Sequence, residues 1–293
     1  LYHNGLSLCS KKVRVCLKEL GIPFAEHHID LIETGSYEVV SRHNLEVNPA
    51  GLLPVLVHNG HPVYESHDII DYLAQHAPAG APALVPEDPK AREVMEAWKD
   101  RASLKDEDPG SGGAGLAASA GNCVPVLTVP LFAAGMVEIP YYRLIDGLLF
   151  HRIKFRPLLF LVLKLRGLAG LPRLGKLVRV LGAAHTAMGD HLDALEAQLD
   201  PGPWICGEQY TLADVSWMVL FERLVEADWL DSLVDARRPR VQAYWQALQA
   251  RPGYAGISDY RLPAVDRATQ RILNYKRAHP DVAGALTATG QMT

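Results

Sequence analysis

The stretch LPVLVHNGHPVYESHDIIDYL, residues 53–73, combines local signals for three secondary-structure elements. Two short apolar runs are joined by Asn59-Gly60, the pair that a type I′ turn prefers, so these runs predict a β-hairpin. The run that begins at Ser66 repeats apolar residues at helical spacing, and Ser66 is the predicted N-cap. The stretch therefore predicts two antiparallel strands followed directly by a helix.

The residues before this stretch continue an α/β pattern. KKVRVCLKELGI, residues 11–22, repeats apolar residues at helical spacing and reaches a stop signal at Gly21, which predicts an amphipathic helix. Pro23 then favours an extended start to PFAEHHIDL, which we interpret as a strand. Residues 1–80 are therefore predicted to form a small α/β domain with a mixed sheet.

The pattern becomes helical after residues 81–90, a segment rich in Pro and Ala that we interpret as a linker. Residues 91–265 are predicted to form an all-helical domain. One helix start is unusually well marked, because Thr211 and Asp214 have the spacing of a capping box. Residues 266–293 carry no strong pattern and are interpreted as a C-terminal tail.

Two stretches of the helical region depart from an ordinary amphipathic pattern. Residues 107–130 are rich in Gly, Ser and Pro and are interpreted as an irregular loop. Residues 141–189 interleave apolar runs with basic residues and contain one acid, Asp146. The basic residues are Arg143, Arg152, Lys154, Arg156, Lys164, Arg166, Arg173, Lys176 and Arg179. An ordinary helix face with solvated cations fits this segment, and so does peripheral contact with an anionic membrane or an acidic partner.

Composition argues against several classes of function. The net charge of −4 over 293 residues gives no reason to expect a nucleic-acid partner. Four scattered cysteines favour reduced thiols and a cytoplasmic location over a disulfide scaffold. His58, His61 and His67 lie on or near the predicted hairpin, but solvent-exposed turn histidines explain this pattern, and we expect no metal site.

The start of the first predicted helix, GLSLCSKKVR, offers three groups that can handle a thiol: Ser7, Cys9 and Ser10. Free N–H groups and the positive end of the helix dipole favour anions at a helix start, and the reactive form of a thiol is the thiolate. Lys12 and its basic neighbours add positive potential. The competing interpretation is that Ser7 or Ser10 only caps the helix and that Cys9 is a small buried residue.

Two further features are suited to a peptide-like ligand. Leu53-Pro54 stands just before a predicted strand, in which a trans proline would be a poor residue. A cis bond before Pro54 would leave the backbone N–H and C=O of Leu53 free to pair with such a ligand. Glu65 and Ser66 stand at a predicted strand-to-helix turn, where free N–H groups and a hydroxyl can bind a carboxylate and Glu65 can bind an ammonium group. Capping alone is the competing explanation for this second pair.

In combination these motifs resemble the cytosolic glutathione transferase superfamily. The resemblance rests on the Ser/Cys-rich turn, NPAGLLPVL, YESHDIIDYL and WICGEQYTLADVSW, and it covers roughly residues 1–100 and 183–262. It implies a thioredoxin-like α/β N-terminal domain with a mixed four-stranded sheet, an all-α C-terminal domain, and glutathione as co-substrate. SLCSKKVR is similar to the zeta class and to tetrachlorohydroquinone reductive dehalogenases, and residues at about 107–182 are interpreted as an insertion.

The resemblance also implies roles for individual residues. Ser7 would hydrogen-bond the glutathione sulfur, and Ser10 would cap the helix. Cys9 lies where the dehalogenase-like members carry a cysteine that resolves a glutathione mixed disulfide, but zeta members also have a cysteine there, so Cys9 alone does not identify the reaction. The implied glutathione contacts are Ser7, Lys12, Leu53, Pro54, Glu65 and Ser66. Many relatives carry Gln or Lys where this chain has Leu52, so Gly51, Lys12 or His43 would have to compensate.

The resulting expectation is a cytoplasmic, homodimeric glutathione transferase. Its thiolate would attack a small hydrophobic electrophile, such as a halogenated aromatic or an aryl ether. Two alternatives stay open. One is a glutathione-dependent reductive dehalogenase or thiol-disulfide enzyme that uses Cys9, and the other is a non-catalytic relative that binds a membrane or a partner through residues 141–189.

Overall fold

The computed structural model describes residues 1–104, 113–150 and 155–280 of the chain. All strands in these ranges lie before residue 64, and every secondary-structure element after that point is a helix. The fold is therefore a thioredoxin-like α/β part followed by an all-α part, as the sequence predicts. Within these residues there is no helix with the length and apolar character of a membrane span.

The sheet is mixed and has four short strands. They are β1 (Tyr2–His3), β2 (His27–His28), β3 (Leu56–His58) and β4 (His61–Val63). β1 pairs in parallel with β2, and β3 pairs antiparallel with β4. A single antiparallel bridge between Tyr2 and Val55 joins the two pairs, which gives the order β2-β1-β3-β4. The predicted mixed four-stranded sheet is thus confirmed.

Fifteen α-helices occur in the described ranges. They are α1 (Leu8–Glu19), α2 (Arg42–Val47), α3 (Ser66–Gln75), α4 (Pro89–Arg101), α5 (Gly113–Ala118), α6 (Ala120–Leu127), α7 (Val129–Gly135), α8 (Tyr141–Phe150), α9 (Phe155–Gly170), α10 (Gly175–Gln198), α11 (Leu212–Glu226), α12 (Leu230–Leu233), α13 (Pro239–Gln249), α14 (Ala255–Ser258) and α15 (Pro263–Ala278). Short 3-10 turns lie at Glu38–Val40, Leu171–Arg173 and Pro252–Tyr254.

The elements predicted from local signals are present. Asn59 and Gly60 have φ values of 52° and 81°, as a type I′ turn requires, and they connect β3 to β4. The capping box is formed, with the backbone N–H of Thr211 donating to Asp214 Oδ2 at 2.7 Å. Asp214 is fully buried, and burial raises the pKa of its carboxyl group to about 6. The start of α11 is therefore fixed inside the core.

The prediction of an irregular loop over residues 107–130 is wrong for its described part, because α5, α6 and the start of α7 occupy residues 113–130. Ser119 caps α6 by accepting a hydrogen bond from the Gly121 N–H at 3.0 Å. A side chain at Gly121 would lie 2.2 Å from the Ser103 carbonyl oxygen, so glycine here permits close packing rather than flexibility. Residues 107–112 of the predicted loop lie outside the described residues.

The expectation of a weakly specified tail is also wrong for residues 266–278, which belong to α15. Val265, Ala268 and Ile272 form a buried stripe at helical spacing on this helix, which packs against α7. Most other positions of α15 are polar or charged, so the stripe is hard to recognise in the sequence. Residues 281–293 lie outside the described range.

Candidate functional site

The loop between β1 and α1 presents Ser7 at the N-terminus of α1. Ser7 is the N-cap, and its Oγ accepts a hydrogen bond from the Ser10 N–H at 3.2 Å. The expectation that Ser10 caps the helix is therefore wrong. Ser10 lies inside α1, and its buried hydroxyl oxygen accepts a hydrogen bond from the Asn4 N–H at 3.3 Å.

Capping uses only part of the hydrogen-bonding capacity of Ser7. A capping hydroxyl acts as an acceptor through an oxygen lone pair, so its own hydrogen stays free to donate. Within the described residues the Ser7 hydroxyl donates no hydrogen bond, and the side chain is half-buried. A ligand sulfur above the start of α1 can therefore receive this donor.

Cys9 is the second residue of α1 and is exposed. The other three cysteines are more buried, and burial raises the pKa of the thiols of Cys123 and Cys206 to about 12 and about 11. Burial also raises the pKa of Cys16. Cys9 is therefore the cysteine whose sulfur a solvent-borne reagent can reach most readily.

The peptide bond between Leu53 and Pro54 is cis, as expected. The next residue, Val55, exchanges backbone hydrogen bonds with Tyr2 at 2.9 and 3.1 Å, which places this segment beside β1. The backbone N–H and C=O of Leu53 make no hydrogen bond within the described residues, and Leu53 is half-buried. Both groups are therefore available for an extended ligand, as the sequence predicts.

The prediction that Ser66 caps α3 is wrong by one residue, because Glu65 is the N-cap and Ser66 is the first helical residue. Glu65 has a φ of 58°, a strained value for a residue with a side chain, and its exposed side chain makes no capping hydrogen bond. The first N–H groups of a helix have no partner within it. The start of α3 therefore presents free N–H groups and the free Glu65 carboxylate at one turn.

Lys12 connects these two helix starts. Its ammonium group is buried and contacts Nε2 of His67, the second residue of α3. Burial lowers the pKa of Lys12 to about 8, while a charge on Cys9 acts in the opposite direction. The structure therefore places Lys12 beneath the helix starts, and a direct contact between Lys12 and glutathione stays a prediction.

His67 gives this region a pH dependence. Burial, together with the charges of Lys12 and Lys99, lowers the pKa of His67 to about 3. The unfolded chain takes up this proton near pH 6.5, whereas the folded chain does so only near pH 3, so stability falls as the pH decreases below 6.5. We expect His67 to contribute a loss of about 2 kcal/mol in the free energy of unfolding between pH 7 and pH 5.

Urea unfolding of His67→Gln at both pH values measures this contribution. The variant should lose less stability on acidification than the parent, even if it is less stable at pH 7. His61→Gln is the matched control, because His61 is exposed in β4. An unchanged loss of stability in His67→Gln would contradict the assignment.

Two buried arginines hold the loop that carries Ser7, and sequence reasoning did not identify this role. Arg14 donates to the carbonyl oxygens of Asn4 at 3.0 Å and of Gly256 at 2.8 Å, and it approaches that of Gly5 at 3.4 Å. Arg223 of α11 donates to the carbonyl oxygen of Leu6. The loop conformation therefore depends on groups far from it in the sequence.

A cavity of about 300 Å³ adjoins this loop. Leu6, next to Ser7, contributes to its wall together with Thr34. Most of the remaining wall is apolar and comes from α7, the start of α8 and α15, including Phe132 and Val265. A volume of this size accommodates a small organic molecule.

The cavity wall also contains four charged residues: Glu33, Glu138, Arg143 and Arg267. Glu33 pairs with Arg156, and Glu138 accepts hydrogen bonds from Arg267 at 2.7 and 2.9 Å. Arg143 lies against the Tyr142 ring and has no carboxylate partner among residues 1–104, 113–150 and 155–280. It therefore supplies a cation that the described chain does not neutralise.

Within the described ranges, His, Cys, Asp and Glu side chains do not form a group of three or more that could hold a metal ion. His58 instead contacts Tyr72, with its Nδ1 2.7 Å from the phenolic oxygen. His67 is engaged by Lys12 and by Ser103, whose Oγ lies 2.9 Å from His67 Nδ1.

Comparison with known proteins matches both ends of the chain. The family model for the glutathione S-transferase N-terminal domain matches residues 1–89, and the model for the C-terminal domain matches residues 179–247. Glutathione S-transferase F10 of Arabidopsis thaliana is 24% identical over 255 residues, which is 87% of this chain and 94% of that protein. Tetrachloro-p-hydroquinone reductive dehalogenase of Sphingobium chlorophenolicum is 22% identical and covers 87% of this chain and 93% of its own length.

Solved structures share the fold. The crystal structure of the beta-etherase LigF from Sphingobium sp. strain SYK-6 matches with a TM-score of 0.67 and 20% sequence identity. The match covers 92% of this chain and 98% of the LigF chain. At this level of identity the similarity establishes the common architecture.

Proposed function

Because the chain belongs to the glutathione transferase family and is an enzyme of that type, we propose that it activates the glutathione thiol for attack on a hydrophobic aromatic electrophile. Glutathione would lie across the helix starts. Its sulfur would be near Ser7, its backbone would pair with Leu53, and its γ-glutamyl end would lie at Glu65 and Ser66. The proposed assembly is a homodimer, as is typical of the family.

The observation that carries this proposal is the free hydroxyl hydrogen of Ser7 at the start of α1. A hydrogen bond donated to sulfur stabilises the thiolate more than the thiol, because the acceptor carries a full negative charge. The positive end of the α1 dipole acts in the same direction. Together these interactions would lower the pKa of the bound glutathione thiol and raise its reactive fraction at neutral pH.

The reaction would then be a displacement at an electrophilic carbon. The thiol proton leaves to solvent, and the thiolate forms a carbon–sulfur bond. The bond from that carbon to the leaving group breaks, and its electron pair departs with a halide or an aryl oxide. The protein contributes positioning and charge stabilisation and forms no covalent bond to the substrate.

The adjoining cavity supports an aromatic substrate. Its wall is mostly apolar, it lies next to Leu6, and Arg143 offers a cation for a phenolate or another anionic group on the ring. Relatives or structural neighbours include a tetrachloro-p-hydroquinone reductive dehalogenase and a beta-etherase. We therefore propose halogenated aromatics and aryl ethers as the substrate classes.

The test is conjugate formation in solution. The purified chain is incubated with glutathione and either a chlorinated hydroquinone or an aryl ether, and products are identified by mass. A glutathione thioether that appears only with enzyme supports the proposal. Complete absence of conjugates with both classes, in a folded protein that binds glutathione by calorimetry, would instead favour the non-catalytic alternative.

Exposed Cys9 favours a second candidate, a glutathione-dependent thiol-disulfide enzyme. Here the Cys9 thiolate attacks the glutathione sulfur of a mixed disulfide and releases the other partner as a thiol. A second glutathione thiolate then attacks the glutathione sulfur of the Cys9 adduct, frees Cys9 and leaves as oxidised glutathione. The two electrons come from the two glutathione molecules.

Cys9→Ser separates the two candidates. We expect conjugation to change by less than about threefold, because Ser7 and the helix start remain intact, whereas disulfide exchange should fall by at least roughly a hundredfold with the nucleophile removed. Both rates are measured on the same preparation, with Cys206→Ser as a control for loss of a less exposed thiol. Loss of conjugation in Cys9→Ser would contradict the primary role of Ser7.

A further inference from the structure

The inner faces of α8 and α9 are already covered by the protein. Leu144 and Gly147 of α8 are buried, and a side chain at Gly147 would lie 3.1 Å from Pro157 of α9. Phe160 of α9 packs edge-to-face on Phe132 of α7, with ring centroids 5.2 Å apart. These buried faces hold α8 against α9 and α9 against α7.

The outer faces of the same helices are apolar as well. Nine of the fourteen large apolar side chains that are exposed in the described residues fall between Val137 and Val180. Ile145 of α8 and Leu165 of α9 have exposed fractions of 53% and 65%. The Lys164 ammonium lies 4.7 Å from the Tyr141 ring centroid, which brings the start of α8 beside the later part of α9.

Four cations lie between the end of α9 and the start of α10, next to the apolar helices in the sequence. Arg166, Arg173, Lys176 and Arg179 are all exposed, and none forms an ion pair with another described residue. Asp146 is the one acidic residue between positions 141 and 189. A concentration of exposed apolar side chains marks an interaction site more often than a face that meets only water. The unpaired cations are stable in water, and they become favourable for binding when the partner is anionic.

We propose that α8, α9 and the start of α10 form a docking surface for an anionic lipid membrane. The apolar side chains would enter the boundary between headgroups and acyl chains, while the four cations would contact lipid phosphates. The contact is peripheral, because the described helices do not include a membrane span. Such a surface would concentrate the enzyme where hydrophobic electrophiles dissolve.

Co-sedimentation of the full chain with vesicles tests this inference. Vesicles of phosphatidylcholine alone are compared with vesicles of equal parts phosphatidylcholine and phosphatidylglycerol. We expect binding to the anionic vesicles only, and weakening at high salt, where surface charges are screened. The inference does not depend on the proposed chemistry, because binding is measured without glutathione or an electrophile.

Two sets of substitutions separate the contribution of the cations to vesicle binding from that of the apolar side chains. The triple variant Arg173→Gln/Lys176→Gln/Arg179→Gln lacks three cations and should partition onto anionic vesicles roughly a hundredfold less than the parent. Each cation near an anionic surface raises the partition coefficient by a factor of about five. Ile145→Ser with Leu165→Ser should also reduce partitioning, by at least about tenfold. The matched controls are Lys90→Gln and Val57→Ser, which replace an exposed cation and an exposed valine elsewhere.

Absence of binding to anionic vesicles at low salt would overturn the proposal. Equal binding by the triple glutamine variant and the parent would also do so. Analytical ultracentrifugation of Ile145→Ser/Leu165→Ser addresses a different occupant, a second copy of the chain. Conversion of a dimer to a monomer by these two changes, without an effect on vesicle binding, would assign the surface to self-association and contradict membrane docking.

Discussion

Replacement of Ser7 by alanine is expected to lower kcat/KM for glutathione conjugation by roughly two to three orders of magnitude. Ser7 Oγ accepts the Ser10 N–H at 3.2 Å, and its hydroxyl hydrogen remains free for the glutathione sulfur. Alanine removes that donor, so the pKa of the bound thiol should rise and less thiolate should form at neutral pH. Ultraviolet absorbance of the bound thiolate, followed against pH, measures this shift directly.

The capping role of Ser7 has to be separated from its proposed catalytic role, because loss of an N-cap alone costs about 1 kcal/mol of stability. Ser7→Thr retains both the cap and the hydroxyl and should restore most activity. Ser7→Asp retains the cap but places a negative charge beside the sulfur, so it should be stable and inactive. Asp88→Ala removes the N-cap of α4 and provides a stability control away from the proposed site.

An unchanged thiolate titration in Ser7→Ala would contradict the assignment of Ser7. If activity fell without a shift in that titration, the loss would reflect distortion of the loop. Equal activity of Ser7→Asp and Ser7→Thr would likewise exclude a hydrogen bond to sulfur, because the two side chains differ in both charge and donor capacity.

The features that sequence alone could predict are those specified by a few neighbouring residues. The Asn59-Gly60 turn follows from the ease with which both residues adopt positive φ. The capping box at Thr211 follows from a spacing of three residues. In both cases the deciding interaction is local, whereas the cis bond at Pro54 is an expectation that comes from the family resemblance.

The positions of the caps were harder to predict, because several residues in each turn can perform the same role. Ser7 and Ser10 both precede or begin a helix, and only the backbone path decides that Ser7 caps and that Ser10 is buried. Similarly, Glu65 adopts a positive φ that its residue type disfavours, which shifts the start of α3 to Ser66. Tertiary structure therefore selects between two suitable serines at α1 and overrides local preference at α3.

The hydrogen bonds that hold the loop carrying Ser7 could not be predicted from the sequence, because they join residues that are far apart along the chain. The Arg14 side chain bonds Gly256, which is 242 residues away, and Arg223 reaches Leu6 across 217 residues. In the sequence both arginines resemble solvated helix residues. Their burial depends on how α1 packs against α11 and α14, which residue spacing does not reveal.

Glu226→Gln is expected to lower the free energy of unfolding by about 3–5 kcal/mol. Glu226 of α11 pairs with Lys11 of α1 and lies 3.0 Å from Arg223, and all three side chains are at most 7% exposed. Although burial opposes ionisation, the charges of Lys11 and Arg223 hold the pKa of Glu226 below its usual value. Glutamine keeps the shape but removes the carboxylate that lies nearest to two buried cations. The loss of this buried charge costs more than the loss of a surface ion pair.

Guanidinium unfolding with two controls attributes this loss to charge. Glu46→Gln breaks an exposed pair with Arg42 and should cost at most about 0.5 kcal/mol. Lys11→Met combined with Glu226→Gln should recover part of the loss, because only Arg223 then remains uncompensated. Equal losses in Glu226→Gln and Glu46→Gln would show that the buried cluster is not electrostatically coupled.

Arg223 also donates to the Leu6 carbonyl oxygen beside Ser7. If the cluster is coupled, Glu226→Gln should therefore also shift the pKa of the bound glutathione thiol, which the thiolate titration measures.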